Sequence, residues 1–198
     1  HAHDPHEGFR FEVIAFLEAE TPPPAAKPPS IPKASRSGAL PLSFSEEGLW
    51  LLDQLRPGMT AWNMRSALRI RGTLNVPALE KSLNALVQRQ EVLRTAFKFI
   101  DKGPTRVITS ELPLNLPVVD LNQSAGASDE ISRIAAEDAK TPFNLSQAPL
   151  FRVKLLRLSD TEHVLIITKH HIITDAWSNR LLLKELFALY EAFASGLA

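Results

Sequence analysis

No cysteine occurs anywhere in the chain. That excludes a disulfide framework, a thiolate metal site and a cysteine nucleophile, and it fits a reducing, cytoplasmic setting. Neither sign of charge is in excess: Lys+Arg 22 stand against Asp+Glu 22. A general nucleic-acid binder needs a basic surplus to neutralise phosphates, so no nucleic-acid partner is expected. No apolar run approaches the ~20 residues of a membrane-spanning helix, and no signal-peptide pattern opens the chain. No membrane partner is expected either. Glycine is sparse, with 8 scattered residues and no phosphate-cradling loop. What is present is 198 residues of 44% hydrophobic content, enough for one ordinary core. The first residue is His rather than Met, so a trimmed piece of a longer protein is expected.

Proline is the unevenly spread component. Of 15 Pro, seven fall between Pro22 and Pro41. Residues 21–40 contain no Asp or Glu and carry Lys27, Lys33 and Arg36. Proline fixes φ and removes backbone donors, so this stretch reads as a semi-rigid linker. Before it, residues 1–20 place Phe9, Val13, Phe16 and Leu17 at helical spacing, while Phe9, Phe11 and Val13 also alternate as in a strand. This segment reads as an upstream tail or a docking helix. His1, His3 and His6 read as the remnant of an expression tag rather than a metal site.

After the linker, periodic elements follow in succession. Ser45 with Glu46 and Glu47 marks a helix start, running to Leu55, and Arg56-Pro57-Gly58 stops it. Trp62, Met64, Leu68 and Ile70 alternate as a strand. Asn75 caps a helix with Leu79, Leu83, Leu86 and Val87 on one stripe. Residues 95–100 and 105–109 form a hairpin about Asp101-Lys102-Gly103-Pro104. A short strand over 116–121 and a helix over 128–140 come next. Strands over 150–158 and 163–170 then precede an apolar helix from Ser178 to Ala194. Hairpins in a mixed order point to an α+β fold, a mixed sheet with flanking helices, rather than a doubly wound sheet.

The constellation with chemical content is His170-His171-Ile172-Ile173-Thr174-Asp175, where a strand runs out before a helix. Strand ends and the loops after them are where catalytic groups collect on a rigid frame. Adjacent strand residues point to opposite faces, so the two imidazoles do not act on the same atom. One faces a cleft and the other packs inside. A shared metal ion is disfavoured for the same reason, and no further ligand is near. From the pattern alone, two structural histidines at a strand end account for the residues equally well, and Asp175 reads as a helix cap. Trp50 and Trp62 read as core aromatics, and the charges of Arg89, Glu91 and Arg94 as a solvated helix end.

Four segments together resemble the condensation domain of nonribosomal peptide synthetases. Pro41-Leu42-Ser43-Phe44-Ser45-Glu46-Glu47-Gly48-Leu49-Trp50-Leu51-Leu52-Asp53-Gln54-Leu55 resembles the opening motif of that family, and Arg89-Gln90-Glu91-Val92-Leu93-Arg94-Thr95-Ala96-Phe97 the second. Phe143-Asn144-Leu145 with Pro149-Leu150 resembles the segment before the active strand, and His170-His171 through Asp175 the HHxxxDG motif. The order and spacing match from Leu40 to the C-terminus.

The resemblance implies a chloramphenicol-acetyltransferase-like lobe over residues 41–198, the first of two lobes with the active site between them. It implies amide formation between a donor acyl or peptidyl thioester and an acceptor aminoacyl thioester. Both substrates would ride on phosphopantetheine arms of carrier domains, so the partners implied are donor and acceptor carrier domains and a C-terminal lobe, with no directly bound cofactor. By position His171 is the catalytic candidate. His170, Asp175 and Arg94 would support it, Asp175 pairing with Arg94 to hold the loop. Departures from the pattern are Ala176 for a Gly, Gly48 for an Arg, Ser45-Glu46 for Ala-Gln and Gln90 for a His. A non-catalytic recruiting domain and a coenzyme A-dependent acyltransferase lobe are the alternative functions.

Overall fold

Caps and breakers set the element boundaries. The structure, a computed structural model, describes residues 10–13, 40–101, 103–122 and 126–196. Helix α1 spans Phe44–Leu55 and begins at a capping box: Ser43 Oγ accepts the Glu46 N–H at 3.4 Å, and Glu46 Oε2 accepts the Ser43 N–H at 2.7 Å. The helix therefore starts ahead of the expected Ser45. Helix α2, Val76–Arg89, is capped by Asn75, whose Oδ1 accepts the Ala78 N–H at 3.0 Å. Leu79, Leu83, Leu86 and Val87 form its buried stripe, as the periodicity predicted.

Strand β1 (Arg10–Val13) lies antiparallel to β3 (Asn63–Arg71), with Phe11 opposite Ile70. The strand alternative read from Phe9, Phe11 and Val13 is realised over Arg10–Val13. Over Arg10–Val13 the helical spacing of the docking-helix alternative is not realised; the rest of residues 1–20, the linker up to residue 39, and His1, His3 and His6 lie outside the described residues. Strand β2 is Leu40–Pro41, β4 Thr95–Ile100, β5 Gly103–Ile108 and β6 Val118–Asp120. Helix α3 spans Ala127–Lys140, β7 Phe151–Arg157, β8 Glu162–His170 and α4 Ala176–Ala194. The hairpin between β4 and β5 turns at Asp101, whose φ of 54° is the left-handed conformation that Asp tolerates better than most residues. Gly103 and Pro104, expected in the turn, already belong to β5.

Among the described residues, five strands form one sheet in the order β1-β3-β8-β7-β6, and three form a second in the order β2-β5-β4. Among these strands only β6 and β7 run parallel; the remaining pairs are antiparallel, so the larger sheet is mixed. Helices α2 and α4 cover one face of it, joined by the Asn75 N–H donating to Tyr190 Oη at 3.0 Å. Helix α3 covers the other face through Ile134 and Ala135. Strand β8 is central and buried on both faces: Leu165 and Ile167 face the α2–α4 side, Val164 and Ile166 the α3 side. That is why its sequence is a continuous apolar run rather than an alternation. Each such side chain contributes about 1.5–3 kcal/mol. Helix α1 lies on Leu49 and Trp50, and its other face leaves Phe44, Leu51 and Leu55 exposed.

Candidate active site

The site grows from the end of β8. His170 is its last residue and stays in the ladder, donating its N–H to Leu150 O at 2.9 Å. His171–Ile173 then form a single 3-10 turn, and Asp175 caps α4. The His171 N–H donates to Trp62 O at 2.8 Å, so the turn remains bonded to the chain entering β3.

The two imidazoles occupy different environments, as expected, but the reason is that the strand ends at His170 and His171 opens the 3-10 turn, not an alternation along one strand. His170 is 2% exposed, with its ring edge-on to Phe143 at 6.3 Å and 84°. Its Nδ1 accepts the Ile172 N–H at 3.2 Å. Burial pushes its pKa down to about 4, and the neighbouring His171 adds to the effect. The His170 ring is therefore neutral at pH 7. The His171 ring is half-buried beside Trp62, with centroids 6.1 Å apart. Its Nδ1 lies 2.7 Å from Thr174 O. A carbonyl only accepts, so in the neutral ring Nδ1 carries the proton and Nε2 carries the lone pair.

Asp175 and Arg94 do not form the expected pair. Asp175 is exposed, and its Oδ1 accepts the Ser178 N–H at 2.6 Å. That hydrogen bond holds its carboxyl below the usual carboxylate range. Arg94 is buried rather than solvated, and it donates to Val87 O at 3.2 Å, Gln88 O at 3.1 Å and Thr109 O at 2.6 Å. The guanidinium satisfies the last carbonyls of α2 and ties them to the chain leaving β5. The helix N-terminus takes the carboxylate and the helix C-terminus takes the guanidinium, so neither needs the other.

The family model described as Condensation domain matches residues 36–197. The chain belongs to the condensation domain family. One of the linear gramicidin synthase proteins of Brevibacillus parabrevis is 42% identical to it over 187 residues, which is 93% of this chain and 2% of that protein. Phosphinothricin tripeptide synthetase PhsB of Streptomyces viridochromogenes is 37% identical over 90% of this chain and 15% of that protein. Among solved structures, the first condensation domain of the calcium-dependent antibiotic synthetase superposes with a TM-score of 0.77 at 27% identity, over 82% of this chain and 39% of that one. The starter condensation domain of rhizomide synthetase RzmA gives 0.76 at 26%, over 82% and 40%. The chain thus spans a small part of the relatives and about 40% of the solved chains. The α+β, chloramphenicol-acetyltransferase-like architecture is the fold of these condensation domains.

The departures from the condensation motifs are locally benign. Among the described non-glycine residues only Asp101 has positive φ, so Ala176 begins α4 in an ordinary backbone conformation. Gly48 is exposed, and an added Cβ would meet nothing within 4 Å. Gln90 donates to Glu185 Oε2 at 2.7 Å, linking the end of α2 to α4. Two surface grooves, one along Arg89, Gln90 and Arg106 and one along Trp50, Phe97 and Asn144, lie away from His171. Among the described residues no cluster of His, Asp and Glu could hold a metal, and no helix is long and apolar enough to cross a membrane. Sequence reasoning read Trp62 as a core aromatic and quoted Phe143 only as part of the segment before the active strand, without placing either beside a histidine. The Thr174 carbonyl carried no signal.

Proposed function

We propose that residues 41–198 are the N-terminal lobe of a peptide-bond-forming condensation enzyme, with His171 as its catalytic residue. The observation that carries this is the imidazole's fixed tautomer. Its Nδ1–H is spent on Thr174 O at 2.7 Å, leaving the Nε2 lone pair for a substrate proton. The substrates are thioesters on phosphopantetheine arms, delivered by a donor and an acceptor carrier domain. The acceptor amine attacks the donor carbonyl, the C–N bond forms, and the C–S bond breaks with its electron pair leaving on sulfur. His171 Nε2 takes the proton that the nitrogen loses. A free α-amino group has a pKa of about 7.7–8.0, so part of it is already unprotonated near neutral pH. Orienting that amine and stabilising the charged tetrahedral intermediate are therefore part of the same role.

Coverage of about 40% of the solved domains supports the lobe reading. So does α1, which leaves Phe44 91% and Leu55 70% exposed, apolar area of the kind a C-terminal lobe covers. Residues 21–40 are the linker from an upstream carrier, and within residues 1–20 Arg10–Val13 joins this lobe's sheet beside β3. The absence of Cys fits a cytoplasmic enzyme. The test is His171→Ala in the intact synthetase with loaded carriers, with the peptide product measured by mass spectrometry. General acid–base loss predicts a fall of about 100-fold or more. Unchanged turnover would refute the assignment. This lobe alone is expected to make no amide.

A further inference from the structure

Lys169 stands immediately before the histidine pair on β8. It is 1% exposed, and its cross-strand neighbours are Met64 of β3 and Phe151 of β7, both apolar. Among the described residues its ammonium has no carboxylate partner, and it donates to the side-chain oxygen of Asn179. Burial pulls its pKa down to about 8. A methionine would fill the same space without the desolvation cost of an ammonium, so packing alone does not account for a lysine here.

Asn179 sits in the first turn of α4. That turn is thinly packed. From Asp175 to Leu181 every residue except Asn179 is exposed, Trp177 is 60% exposed, and the first buried side chain of the helix is Leu183. The Asn179 N–H donates to Asp175 O at 2.9 Å, and Asp175 follows Thr174, whose carbonyl holds His171 Nδ1 at 2.7 Å. The Lys169–Asn179 bond joins residues ten apart in sequence and closes a ring of chain around the whole turn.

We infer that Lys169 and Asn179 are positioning residues, whose bond fixes the first turn of α4 against the end of β8 and so fixes the Thr174 carbonyl that orients the His171 ring. The inference rests on His171 being the reacting imidazole. It does not concern the buried Ile172 and Ile173, which anchor the other side of the turn.

The experiment compares Asn179→Ala, Asn179→Asp and Lys169→Met in the intact synthetase, with His171→Ala as control. Losing the acceptor or the donor is expected to lower kcat about 10- to 100-fold with KM nearly unchanged, the cost of a misplaced group. Asn179→Asp keeps an acceptor oxygen and is expected to retain most of the turnover. In 15N spectra of this chain, Asn179→Ala is expected to convert the His171 ring from the Nδ1–H tautomer to a mixture. Wild-type kcat in Asn179→Ala, or equal losses in Asn179→Ala and Asn179→Asp, overturns the inference. Should Lys169→Met not fold, the two half-buried Asn179 variants still decide. Wild-type turnover in His171→Ala instead overturns the reading of His171, and the tautomer spectra then judge the positioning by themselves.

Discussion

Acidification from pH 7 to pH 5 destabilises this fold through His170. In the unfolded chain an imidazole titrates near about 6.5, and in the folded one burial holds it at about 4. Above pH 6.5 both states are neutral and the group has no effect. As pH falls below that, the unfolded chain takes up the proton while the folded one does not, so stability is lost. Linkage gives a loss of about 2 kcal/mol at pH 5 and about 3 kcal/mol below pH 4. The structural cause is that Nδ1 already accepts the Ile172 N–H and the ring is packed on Phe143. His170→Asn isolates the effect. Its amide oxygen can accept the same N–H two residues on, as in an Asx turn, but does not titrate. The variant is expected to be less stable at pH 7, because the ring contact is gone. That deficit should shrink by about 2 kcal/mol at pH 5 in urea unfolding. His163, also lowered by burial, is common to both proteins and cancels. Parallel pH dependences in the two proteins would refute the argument.

Asp175→Ala removes a helix cap rather than a buried ion pair. It is expected to cost about 1 kcal/mol and a few degrees of Tm, against about 3–5 kcal/mol for breaking a buried pair. Arg94→Met strands the carbonyls of Val87, Gln88 and Thr109, and should cost about 3 kcal/mol in urea unfolding. Gly48→Ala lies on an exposed helical position with nothing near its new methyl, and should raise stability by about 0.5–1 kcal/mol in thermal unfolding.

Signals that act within a few residues were legible in the sequence. Asn75 and the stripe from Leu79 to Val87 placed α2, and the expectation that His170 and His171 differ held, although through a turn beginning at His171 rather than through strand alternation. The start of α1 was misplaced because Ser43 and Ser45 are both acceptable caps. The choice depends on the reach of Glu46 back to the Ser43 N–H. The parallel pairing of β6 with β7 depends on a partner strand more than thirty residues away, with register Val118 to Leu155. The Arg94–Asp175 pair failed for a related reason. A match of motif positions names two complementary charges, but not the backbone groups that compete for them. Those groups here are the carbonyls at the end of α2 and the amides at the start of α4. The Thr174 carbonyl could not be found in advance, because every residue has one.

Strand β8 is paired on both sides by β3 and β7 and covered on both faces. Its amides are therefore among those that exchange with solvent only when the molecule unfolds globally. The opening turns of α4, exposed except at Asn179, belong to the end of the protein that can open locally. The imidazole of His171 hangs between these two regimes, hinged to a wall that does not breathe and steered from a wall that does. If His171 is the reacting residue, as proposed, adjustment of its ring is expected from the helix side.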